Sequence, residues 1–470
     1  MNKKIKIIPI ILSGGSGKRL WPISTQSLPK QFLNIPFGSK HSLFQKTVLR
    51  VHKNFFEKPI IICSEEHKFA IKSQLEEINI KPESIIVEPL GRNTAPAICS
   101  ACLKVFEKKE NSMLMVFPSD HLINDEKFFF TKIYKLVKQG IINSNTLFGL
   151  TPSEPKTSYG YMKISSNNFG LPRVDSFIEK PSLTKVKSMI KMGNFLWNSG
   201  IFLLDINQTL DLFNKFSRDI LSNCKKSLKN AKKDLGFLVL DKESFSKCKN
   251  NSFDYEILEK CDDLKVLPLK LEWSDLGSWQ SIWESSKKDE FNNVIKGRFK
   301  IKNVNNSLIM SDKDCNIIND IKDLVIVSHN NSLLISSKKK SEDIKLYLEK
   351  IKSRDFLYGS VEFRPWGSFK IIEKNEKFIV KRLSIKPKHR ISLQKHLHRS
   401  EHWTVVEGKA TITLNKKIIL LKKNQSIYIP KNSIHCIANK SNKKLEIIET
   451  QIGEILSEND IIRYEDPYNR

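Results

Sequence analysis

The sequence has no apolar run close to the roughly 18 residues that a membrane-spanning helix needs, which excludes a transmembrane protein. It contains only 8 cysteines in 470 residues, and its single C-x-x-C pair, Cys99 and Cys102, lies in a helical pattern. Because no second pair completes a zinc site, we expect reduced thiols that are mostly buried. The hydrophobic content of 40% and the charged content of 28% exclude a disordered or fibrous chain.

A separate basic arm is also missing, although the formal net charge is +28. A charge of this size raises nucleic acid and anionic membranes as partners. The lysines, however, are scattered among isoleucine and asparagine in every segment and form no stripe. We therefore expect no specific nucleic acid and no membrane as partner. The charge is compatible with an anionic substrate.

The first residues, MNKKIKIIPIIL, imitate a signal peptide. Their apolar stretch is short, is interrupted by Pro9 and continues into SGGSGKR without a cleavage site of small residues. We predict a first β-strand here and expect a cytoplasmic protein. The length is about three times that of a typical domain of ~150 residues, which predicts two or three domains.

Three kinds of pattern divide the chain. In residues 1–285, apolar runs such as SMLMVFP alternate with helical patterns such as APAICSACLKVF, which predicts an α/β domain with a mixed, mostly parallel sheet. Residues 286–355 hold short strands with asparagine-rich turns and one helix, which predicts a small β-rich linker domain. In residues 356–470 short alternating strands predominate, which predicts an all-β barrel.

A glycine-rich loop follows the first predicted strand. Gly14, Gly15 and Gly17 permit a sharp turn that brings backbone N–H groups close to an anion. Lys18 and Arg19 add positive charge beside it. The loop is not a P-loop, because no Ser or Thr follows Gly17-Lys18, and it lacks the third glycine of a dinucleotide fingerprint. It is either a phosphate-binding loop or an ordinary turn.

A family becomes recognisable from the motifs that follow. The bacterial mannose-1-phosphate guanylyltransferases resemble this chain in the content and order of GGSGKRLWPIS, PKQFL, EPLGRNTAPA, FPSDH, YGYMK, FIEKP, WNSGIF and WSDLGSW. The resemblance implies a Rossmann-like nucleotidyltransferase domain that makes GDP-mannose and pyrophosphate from GTP and mannose 1-phosphate. In such a reaction a phosphate oxygen attacks the α-phosphorus. It therefore needs alignment and charge neutralisation more than a protein nucleophile.

The resemblance also implies roles for individual residues. Arg19 and Lys30 are implied to stabilise the α-phosphate and the leaving pyrophosphate as catalytic groups, and Lys180 to contact the sugar phosphate as a third. Asp120 and Asp275 are implied as the carboxylates of a Mg²⁺ site. The implied binding residues are Gly14, Gly15, Gly17, Lys18, Arg92 and Asn93 for the nucleotide, and Lys180 and Asn198 for the sugar phosphate.

The C-terminal region carries a second group of polar residues. In an extended strand Gln394, His396 and His398 point to one face, Glu401 follows on the next strand, and IYIPKNSIHC supplies His435. Gln394, His396, Glu401 and His435 converging inside a small barrel suit a divalent transition metal, whereas a solvated histidine-rich strand is the alternative. We expect Zn²⁺ first, and the spacing is compatible with Fe²⁺, Mn²⁺ or Co²⁺.

This region resembles a cupin. In QKHLHRSEHWTVVEG it is similar to the type II mannose-6-phosphate isomerase domain that is fused to these guanylyltransferases. The resemblance implies a bifunctional enzyme that also interconverts fructose 6-phosphate and mannose 6-phosphate. A metal would polarise the carbonyl while a side chain that the sequence does not identify moves the proton. The resemblance further implies Arg463 and Arg470 as phosphate or sugar contacts.

Three other interpretations stay open. Lys388, Asn424 and Asn432 stand where cupins usually have glycine, and Lys is unusual in a left-handed turn that Asn tolerates. A guanylyltransferase whose cupin only binds a sugar or assists assembly therefore stays possible. A transferase for another base or sugar, such as a glucose 1-phosphate thymidylyltransferase, is disfavoured by PKQFL, GRNTAPA and WNSG. A nucleic-acid-binding protein would have to bind random DNA at physiological ionic strength. The sequence leaves a homo-oligomer open.

Overall fold

A computed structural model describes residues 6–15, 18–52, 55–108, 112–138, 144–165, 170–351 and 361–468. The chain forms two compact units. The first consists of residues 1–24, 29–68 and 74–347, and the second of residues 25–28, 69–73 and 348–470. Within the described residues, no helix has the length and apolar character needed to cross a membrane.

The first 285 residues alternate strands and helices. Their strands are β1 (Lys6–Ser13), β2 (Ile60–Ser64), β3 (Ser84–Glu88), β4 (Ser112–Pro118), β5 (Leu122–Ile123), β6 (Thr146–Leu150), β7 (Tyr161–Ser165), β8 (Arg173–Ile178), β9 (Phe195–Asp205), β10 (Lys232–Asp234), β11 (Phe237–Val239), β12 (Lys265–Leu269) and β13 (Trp273–Ser274). Their α-helices are α1 (Leu43–Val51), α2 (Lys68–Glu77), α3 (Thr94–Phe106), α4 (Glu126–Lys138), α5 (Leu183–Met192), α6 (Ile206–Phe216), α7 (Arg218–Lys229), α8 (Lys242–Ser246), α9 (Phe253–Glu256) and α10 (Trp279–Ser285). Short 3₁₀ turns occupy Lys18–Leu20, Lys30–Phe32, Glu65–His67 and Leu258–Lys260.

Eleven of these strands form one mixed sheet in the order β10-β11-β3-β2-β1-β4-β9-β6-β12-β8-β7. The parallel pairings join β11, β3, β2, β1 and β4, and β12 is parallel to β6. Strand β9 lies antiparallel between β4 and β6. Strands β1 and β4 are buried along nearly their whole length, as expected of parallel strands covered on both faces.

The sheet sets where polar residues meet. Gly14 follows β1, Glu88 ends β3 and Asp120 follows β4, so three carboxyl ends of parallel strands lie at one edge. A short ribbon extends this edge, because β5 pairs antiparallel with β13 through Leu122 and Ser274. Asp275 directly follows β13, and the ribbon thereby carries it towards the loop that holds Asp120.

The middle region belongs to the first unit as far as Tyr347. It contains β14 (Val294–Lys296), β15 (Lys300–Asn305), β16 (Leu308–Ser311), β17 (Ile317–Lys322), β18 (Leu324–His329), β19 (Ser332–Ser337), a 3₁₀ turn (Lys338–Asp343) and α11 (Ile344–Lys350). Strands β14, β16 and β18 are parallel, and β15 is parallel to β17. A linker domain of residues 286–355 stays a prediction, and its C-terminal boundary lies outside the described residues.

The second unit is an all-β barrel of the predicted class. Its strands are β20 (Val361–Arg364), β21 (Gly367–Lys374), β22 (Phe378–Ile385), β23 (Leu393–His396), β24 (Arg399–Glu407), β25 (Lys409–Leu414), β26 (Lys417–Lys422), β27 (Ser426–Ile429), β28 (His435–Ala438), β29 (Leu445–Gly453) and β30 (Ile461–Glu465). A 3₁₀ turn at Glu458–Asp460 precedes β30. Two sheets, β20-β21-β22-β29-β24-β27 and β26-β25-β28-β23-β30, share a core that includes Leu383 and Ile447 from one and Ile412 and Ile437 from the other.

One sequence expectation for the barrel needs correction, because the strand predicted to carry Gln394, His396 and His398 ends before His398. Elsewhere in the barrel, Gly408 separates β24 from β25. Gly408 has φ +87°, and a Cβ there would lie 2.8 Å from the Lys444 carbonyl oxygen, so the hairpin requires glycine. The run ISLQKHLH is a strand only over Leu393–His396.

Candidate active sites

The glycine-rich loop faces a buried carboxyl group. Gly14 and Gly15 follow β1 and are exposed, and the Gln31 amide Nε2 donates a 2.9 Å hydrogen bond to the Gly15 carbonyl. A Cβ on Gly14 would lie 3.5 Å from Oε2 of Glu88. The loop is therefore open to solvent on one side and bordered by Glu88 on the other. Gly17 lies outside the described residues.

Arg19 and Lys30 have contrasting surroundings. Arg19 lies in the 3₁₀ turn Lys18–Leu20 with an exposed side chain. Lys30 is buried, and its Nζ lies 2.7 Å from Asp120 Oδ2 and donates a 2.5 Å hydrogen bond to the Asp275 carbonyl. One ammonium group thus joins the two loops that carry the predicted Mg²⁺ ligands. The Lys30 ammonium group thus supplies positive charge to both loops from within the chain.

Neighbouring charges favour the ionised form of the Asp120 carboxyl group. Burial would raise the pKa of Asp120, but Lys30 and His121 outweigh burial and hold this pKa below its usual value. Burial lowers the pKa of His121, whose ring packs edge-on against Trp273 at a centroid distance of 5.0 Å. An anionic oxygen beside a neutral imidazole and a buried ammonium is a suitable place for phosphate and a divalent cation.

Asp275 is held by two donors. Its Oδ1 accepts hydrogen bonds from the Tyr159 hydroxyl at 3.1 Å and from the Gly277 backbone N–H at 2.9 Å. The Tyr159 ring packs edge-on against Trp197 and Trp273 at centroid distances of 5.2 and 5.3 Å. The orientation of this carboxylate is therefore fixed by an aromatic cluster.

Asn198 lies beside two further acidic residues. Its Nδ2 donates a 2.7 Å hydrogen bond to Asp254 Oδ1, and its backbone N–H donates to the Gly160 carbonyl at 2.8 Å. A Cβ on Gly160 would lie 2.5 Å from Glu179 Oε2, so a side chain at this position would displace the carboxylate. Burial and the charge of Glu179 raise the pKa of Asp254 to about 6. Lys180 forms a 3.0 Å ion pair with Glu179 and is exposed. Amide, carboxylates and ammonium are the groups that bind sugar hydroxyls and a sugar phosphate.

Arg92 and Asn93 have structural partners. The Arg92 guanidinium donates a 2.6 Å hydrogen bond to the Ser246 carbonyl, and its buried Nε has no partner among the described residues. The Asn93 side chain accepts from the Thr94 N–H as the N-cap of α3. Their nucleotide contacts stay a prediction.

Backbone strain lies at three of these motifs. Lys180, Leu276 and Asn93 have φ angles of 44°, 44° and 65°, a left-handed region that costs a residue other than glycine of order 1 kcal/mol. Lys180 and Leu276 flank functional carboxylates, since they directly follow Glu179 and Asp275. Such strain persists where the surrounding structure determines the backbone, and it clusters at active sites.

Sequence reasoning missed several residues of this site. Glu88 begins EPLGRNTAPA at the end of an apolar strand, a signal that could have found it. Burial, with a smaller contribution from Cys248, raises the pKa of Glu88 to about 8, and its Oε1 has no partner within the described ranges. Tyr159 begins YGYMK, whereas Asp254 lies in NSFDYE, where no pattern distinguishes it from a surface residue.

The C-terminal residues predicted as ligands converge. His396, Glu401 and His435 form the one cluster of three or more His, Cys, Asp or Glu side chains, in the part of the chain that the structure describes, whose ligand atoms all lie within 4.8 Å. All three are buried. Gln394 pairs with His435 across β23 and β28, and its Nε2 lies 3.4 Å from His396 Nε2. A half-turn of the amide would direct its oxygen to the same space.

Backbone carbonyls select the histidine tautomers. His396 Nδ1 lies 3.1 Å from the Asp460 carbonyl oxygen and His435 Nδ1 lies 2.8 Å from the Ser433 carbonyl oxygen, so each Nδ1 is the donor. Each Nε2 is thereby directed at Glu401, and His435 Nε2 is buried without a hydrogen-bond partner among the described residues. Metal-binding histidines usually donate their other ring N–H to a carbonyl or carboxylate oxygen in this way.

The charges in the cluster fit a cation. Burial would raise the pKa of Glu401, but His396, His435 and Arg399 hold it well below its usual range. His396 Nε2 lies 3.0 Å from Glu401 Oε1, so both atoms can bind one divalent cation. Burial lowers the pKa of His435 and keeps its imidazole neutral. The donor set suits a transition metal.

The remaining predictions for this region concern two arginines and three residues at positions where cupins usually have glycine. Arg463 is exposed on β30 opposite Gln394, and its Nη2 lies 3.6 Å from Glu458 Oε2, whereas Arg470 lies outside the described residues. Lys388, Asn424 and Asn432 have φ angles of 63°, 68° and 65°. The positions that usually hold glycine therefore keep the left-handed conformation here. The Asn432 N–H donates a 2.7 Å hydrogen bond to the His396 carbonyl and joins the two cupin motifs.

Comparison with known families matches both parts of the chain. The nucleotidyl transferase family matches residues 8–292, and the mannose-6-phosphate isomerase C-terminal family matches residues 354–466. A crystal structure of a mannose-1-phosphate geranyltransferase from Thermus thermophilus has a TM-score of 0.64 and covers 74% of this chain and 100% of its own. At 22% identity it shows the fold alone.

Curated relatives match over their full length. The alginate biosynthesis protein AlgA of Pseudomonas aeruginosa is 37% identical, over 99% of this chain and 97% of the relative. A mannose-1-phosphate guanylyltransferase of Salmonella montevideo is 38% identical, over 99% and 100%. The xanthan biosynthesis protein XanB of Xanthomonas campestris pv. campestris is 37% identical, over 99% of each chain.

Proposed function

Because the chain belongs to the nucleotidyl transferase family, with the mannose-6-phosphate isomerase C-terminal domain attached, we propose that it is a bifunctional enzyme of GDP-mannose formation. Its first unit transfers GMP from GTP to mannose 1-phosphate, as the name of the Salmonella montevideo relative states for that protein. Its second unit interconverts fructose 6-phosphate and mannose 6-phosphate in the cytoplasm. The product supplies polysaccharide synthesis, in keeping with the relatives named for alginate and xanthan.

The transfer is a displacement at phosphorus. An oxygen of the mannose 1-phosphate attacks the α-phosphorus of GTP and forms the new P–O bond, and the bond to the β-phosphate breaks to release pyrophosphate. Arg19 is exposed beside the glycine loop, where it can bind phosphate oxygens as they gain charge. Lys30 is the second cation, released from Asp120 when phosphate arrives.

The metal of this unit would be Mg²⁺ on Asp120 and Asp275. Lys30 contacts the Asp120 carboxylate and the backbone carbonyl of Asp275, and carboxylate oxygens completed by phosphate oxygens are the ligands that Mg²⁺ prefers. When bound, it neutralises phosphate charge. Tyr159 keeps Asp275 oriented through the 3.1 Å hydrogen bond.

The substrates are selected at two ends of the site. Glu88 offers a buried carboxyl group beyond Gly14 whose Oε1 has no hydrogen-bond partner among the described residues, and an N–H donor of guanine can bind this oxygen. At the other end Asn198, Asp254 and Glu179 offer acceptors to mannose hydroxyls, and Lys180 binds the phosphate.

The isomerase centre is made of Gln394, His396, Glu401 and His435. A transition metal bound there would polarise the sugar carbonyl. The chain itself fixes the two imidazoles through the Asp460 and Ser433 carbonyls and keeps Glu401 ionised. The proton removed from one of the sugar carbons C1 and C2 is delivered to the other.

The convergence of His396, Glu401 and His435 within 4.8 Å is the observation that carries the second activity. The test incubates the purified protein with mannose 1-phosphate, GTP and Mg²⁺, and separately with fructose 6-phosphate and Zn²⁺, Co²⁺, Mn²⁺ or Fe²⁺. We expect GDP-mannose and mannose 6-phosphate. GDP-mannose alone, with every metal, would favour a guanylyltransferase whose cupin is not catalytic.

A further inference from the structure

We propose that Gln451 is a positioning residue of the C-terminal metal centre, which orients the Glu401 carboxylate and is itself held by Glu449. This inference rests on the proposed metal centre but assigns residues outside its ligand set. Gln451 lies on β29 directly opposite Glu401 on β24, so both side chains share the inner face of the sheet. Gln451 and Glu449 are buried, with exposed fractions of 3% and 6%.

The Gln451 amide bridges two carboxyl groups. Its Nε2 donates a 3.0 Å hydrogen bond to Glu401 Oε1 and a 2.8 Å hydrogen bond to Glu449 Oε1. An amide nitrogen carries two protons, and both are used here. The reverse orientation would direct the amide oxygen at the ionised Glu401, so electrostatics selects the orientation seen.

Glu401 is consequently clamped on both of its oxygens. Trp403 Nε1 donates a 3.0 Å hydrogen bond to Oε2, while Gln451 donates to Oε1. His396 Nε2 approaches Oε1 from the cation side at 3.0 Å. Without Gln451 the Oε1 atom keeps only the longer 3.4 Å hydrogen bond from Arg399 Nε, so the carboxylate can rotate away from the point where the ligand atoms meet.

The outer end of the bridge is also anchored. Glu449 pairs with Lys381 across β22 and β29, and the Lys381 ammonium lies 3.8 Å from Glu449 Oε1. Burial and the charge of Glu401 raise the pKa of Glu449, although Lys381 and Arg399 oppose this. Two buried carboxyl groups joined by one amide would be unfavourable in a barrel interior that served packing alone. The arrangement is explained if it orients a ligand.

The test measures zinc binding directly on the metal-free full chain by competition with a chromophoric chelator. Gln451→Met keeps the size of the side chain and removes both donors. We expect its dissociation constant for Zn²⁺ to rise by roughly 10- to 100-fold, the range for loss of an outer partner of a ligand. The Co²⁺ absorption spectrum should shift as well, because the geometry of the carboxylate changes.

Glu446→Gln is the matched control. Glu446 is on the same strand and buried, but it bonds Ser384 Oγ at 2.7 Å on the other face of the sheet. Its variant should bind Zn²⁺ as the wild type does. The Zn²⁺ that His396→Ala still binds is attributed to other sites in the chain. This amount is subtracted from the Zn²⁺ bound by the other proteins.

Three outcomes separate the possibilities. Equal Zn²⁺ affinity of Gln451→Met and wild type overturns the positioning role, and so does equal weakening in Glu446→Gln. A wild type that binds no more Zn²⁺ than His396→Ala overturns the proposed metal centre itself. If Gln451→Met shows no cooperative thermal transition, the Zn²⁺ affinity of Glu449→Leu is compared with that of wild type instead. This variant removes the anchor of Gln451 without changing a ligand.

Discussion

The two candidate sites differ in where the partners of their charged groups come from. In the first unit, Lys30 neutralises Asp120 and contacts the Asp275 loop, while Arg19 is exposed and its partners must come from outside. In the second unit, His396, Glu401 and His435 are all buried and face one another. A phosphoryl-transfer site receives most of its charge with the substrates and must exchange partners, whereas a metal centre can be built completely by the chain.

The largest expected effect is the loss of one activity only. His396→Ala removes a ligand from a strand interior and should abolish isomerisation and binding of transition metal. GDP-mannose formation should stay within about twofold, because the first unit contains none of these ligands. Metal analysis and both assays on one preparation check this. An isomerase-competent His396→Ala protein would end the metal-site hypothesis.

Asp275→Asn should affect the other unit. It removes a charge from the proposed Mg²⁺ ligand pair, and a loss of several kcal/mol of charge stabilisation corresponds to roughly 10³-fold in rate. Isomerase activity should be unchanged. GDP-mannose formation is measured over a range of Mg²⁺ concentrations. A normal rate with an unshifted Mg²⁺ requirement would show that Asp275 is not a ligand.

Arg19→Ala should have a smaller effect of the same kind. Loss of one stabilising donor costs about 10²-fold in rate. Arg218→Ala, which removes an exposed arginine of α7, is the control and should behave as wild type. If Arg19→Ala keeps the wild-type rate at both limiting and saturating GTP, Arg19 does not contact the triphosphate.

A buried carboxyl group makes the first unit sensitive to pH. The pKa of Glu88 rises from 4.5 to about 8 on folding, so its contribution to stability is fully present below pH 4.5 and is lost as pH rises through 8. The loss is at most about 5 kcal/mol. Glu88→Gln should therefore melt at a higher temperature than wild type at pH 9, with the difference shrinking towards pH 5.

The control for Glu88 is Glu83→Gln. Glu83 lies just before β3, and its hydrogen bond to Lys108 lowers its pKa. Its variant should show no gain in melting temperature at pH 9. Identical melting profiles of Glu88→Gln and wild type from pH 5 to 9 would contradict a buried, unpaired carboxyl group at this position.

The smallest expected effect concerns Lys388. Its φ of 63° is left-handed, a conformation that Asn tolerates better than Lys. Lys388→Asn should stabilise the second unit by up to about 1 kcal/mol. Its Nζ, however, donates a 2.7 Å hydrogen bond to the Lys440 carbonyl, and loss of this bond opposes the gain. Thermal melting measures the balance, and a drop of several degrees would mean that the bond outweighs the strain.

How much could be predicted differs between the two units for physical reasons. The alternation of Gln394 and His396 on one face of β23 is local, so sequence spacing predicted both candidate ligands, whereas His398 lies beyond the end of this strand. Strand β9 was not predicted, although it lies antiparallel in the centre of the large sheet, because its pairing with β4 and β6 is a long-range event. The contacts of Asp254 with Asn198 and of Gln451 with Glu401 likewise join distant segments.

The family resemblance also left contacts of individual site residues unpredicted. It placed Arg92 and Asn93 at the nucleotide, while the structure gives their side chains partners in Ser246 and Thr94. Glu88 was within a quoted motif, yet its burial and missing partner become visible only when β1 and β3 are placed in one sheet.

The aromatic cluster around Asp275 has an optical consequence. Tyr159 touches both Trp197 and Trp273, and Trp273 stacks edge-on with His121 next to Asp120. Indole emission responds to the charge and water around the ring, and here two indoles lie next to carboxylates whose charge balance changes when a nucleotide or a cation enters. The first unit thus contains an intrinsic fluorophore at the proposed substrate site, and occupancy of that site can be followed by light without a label.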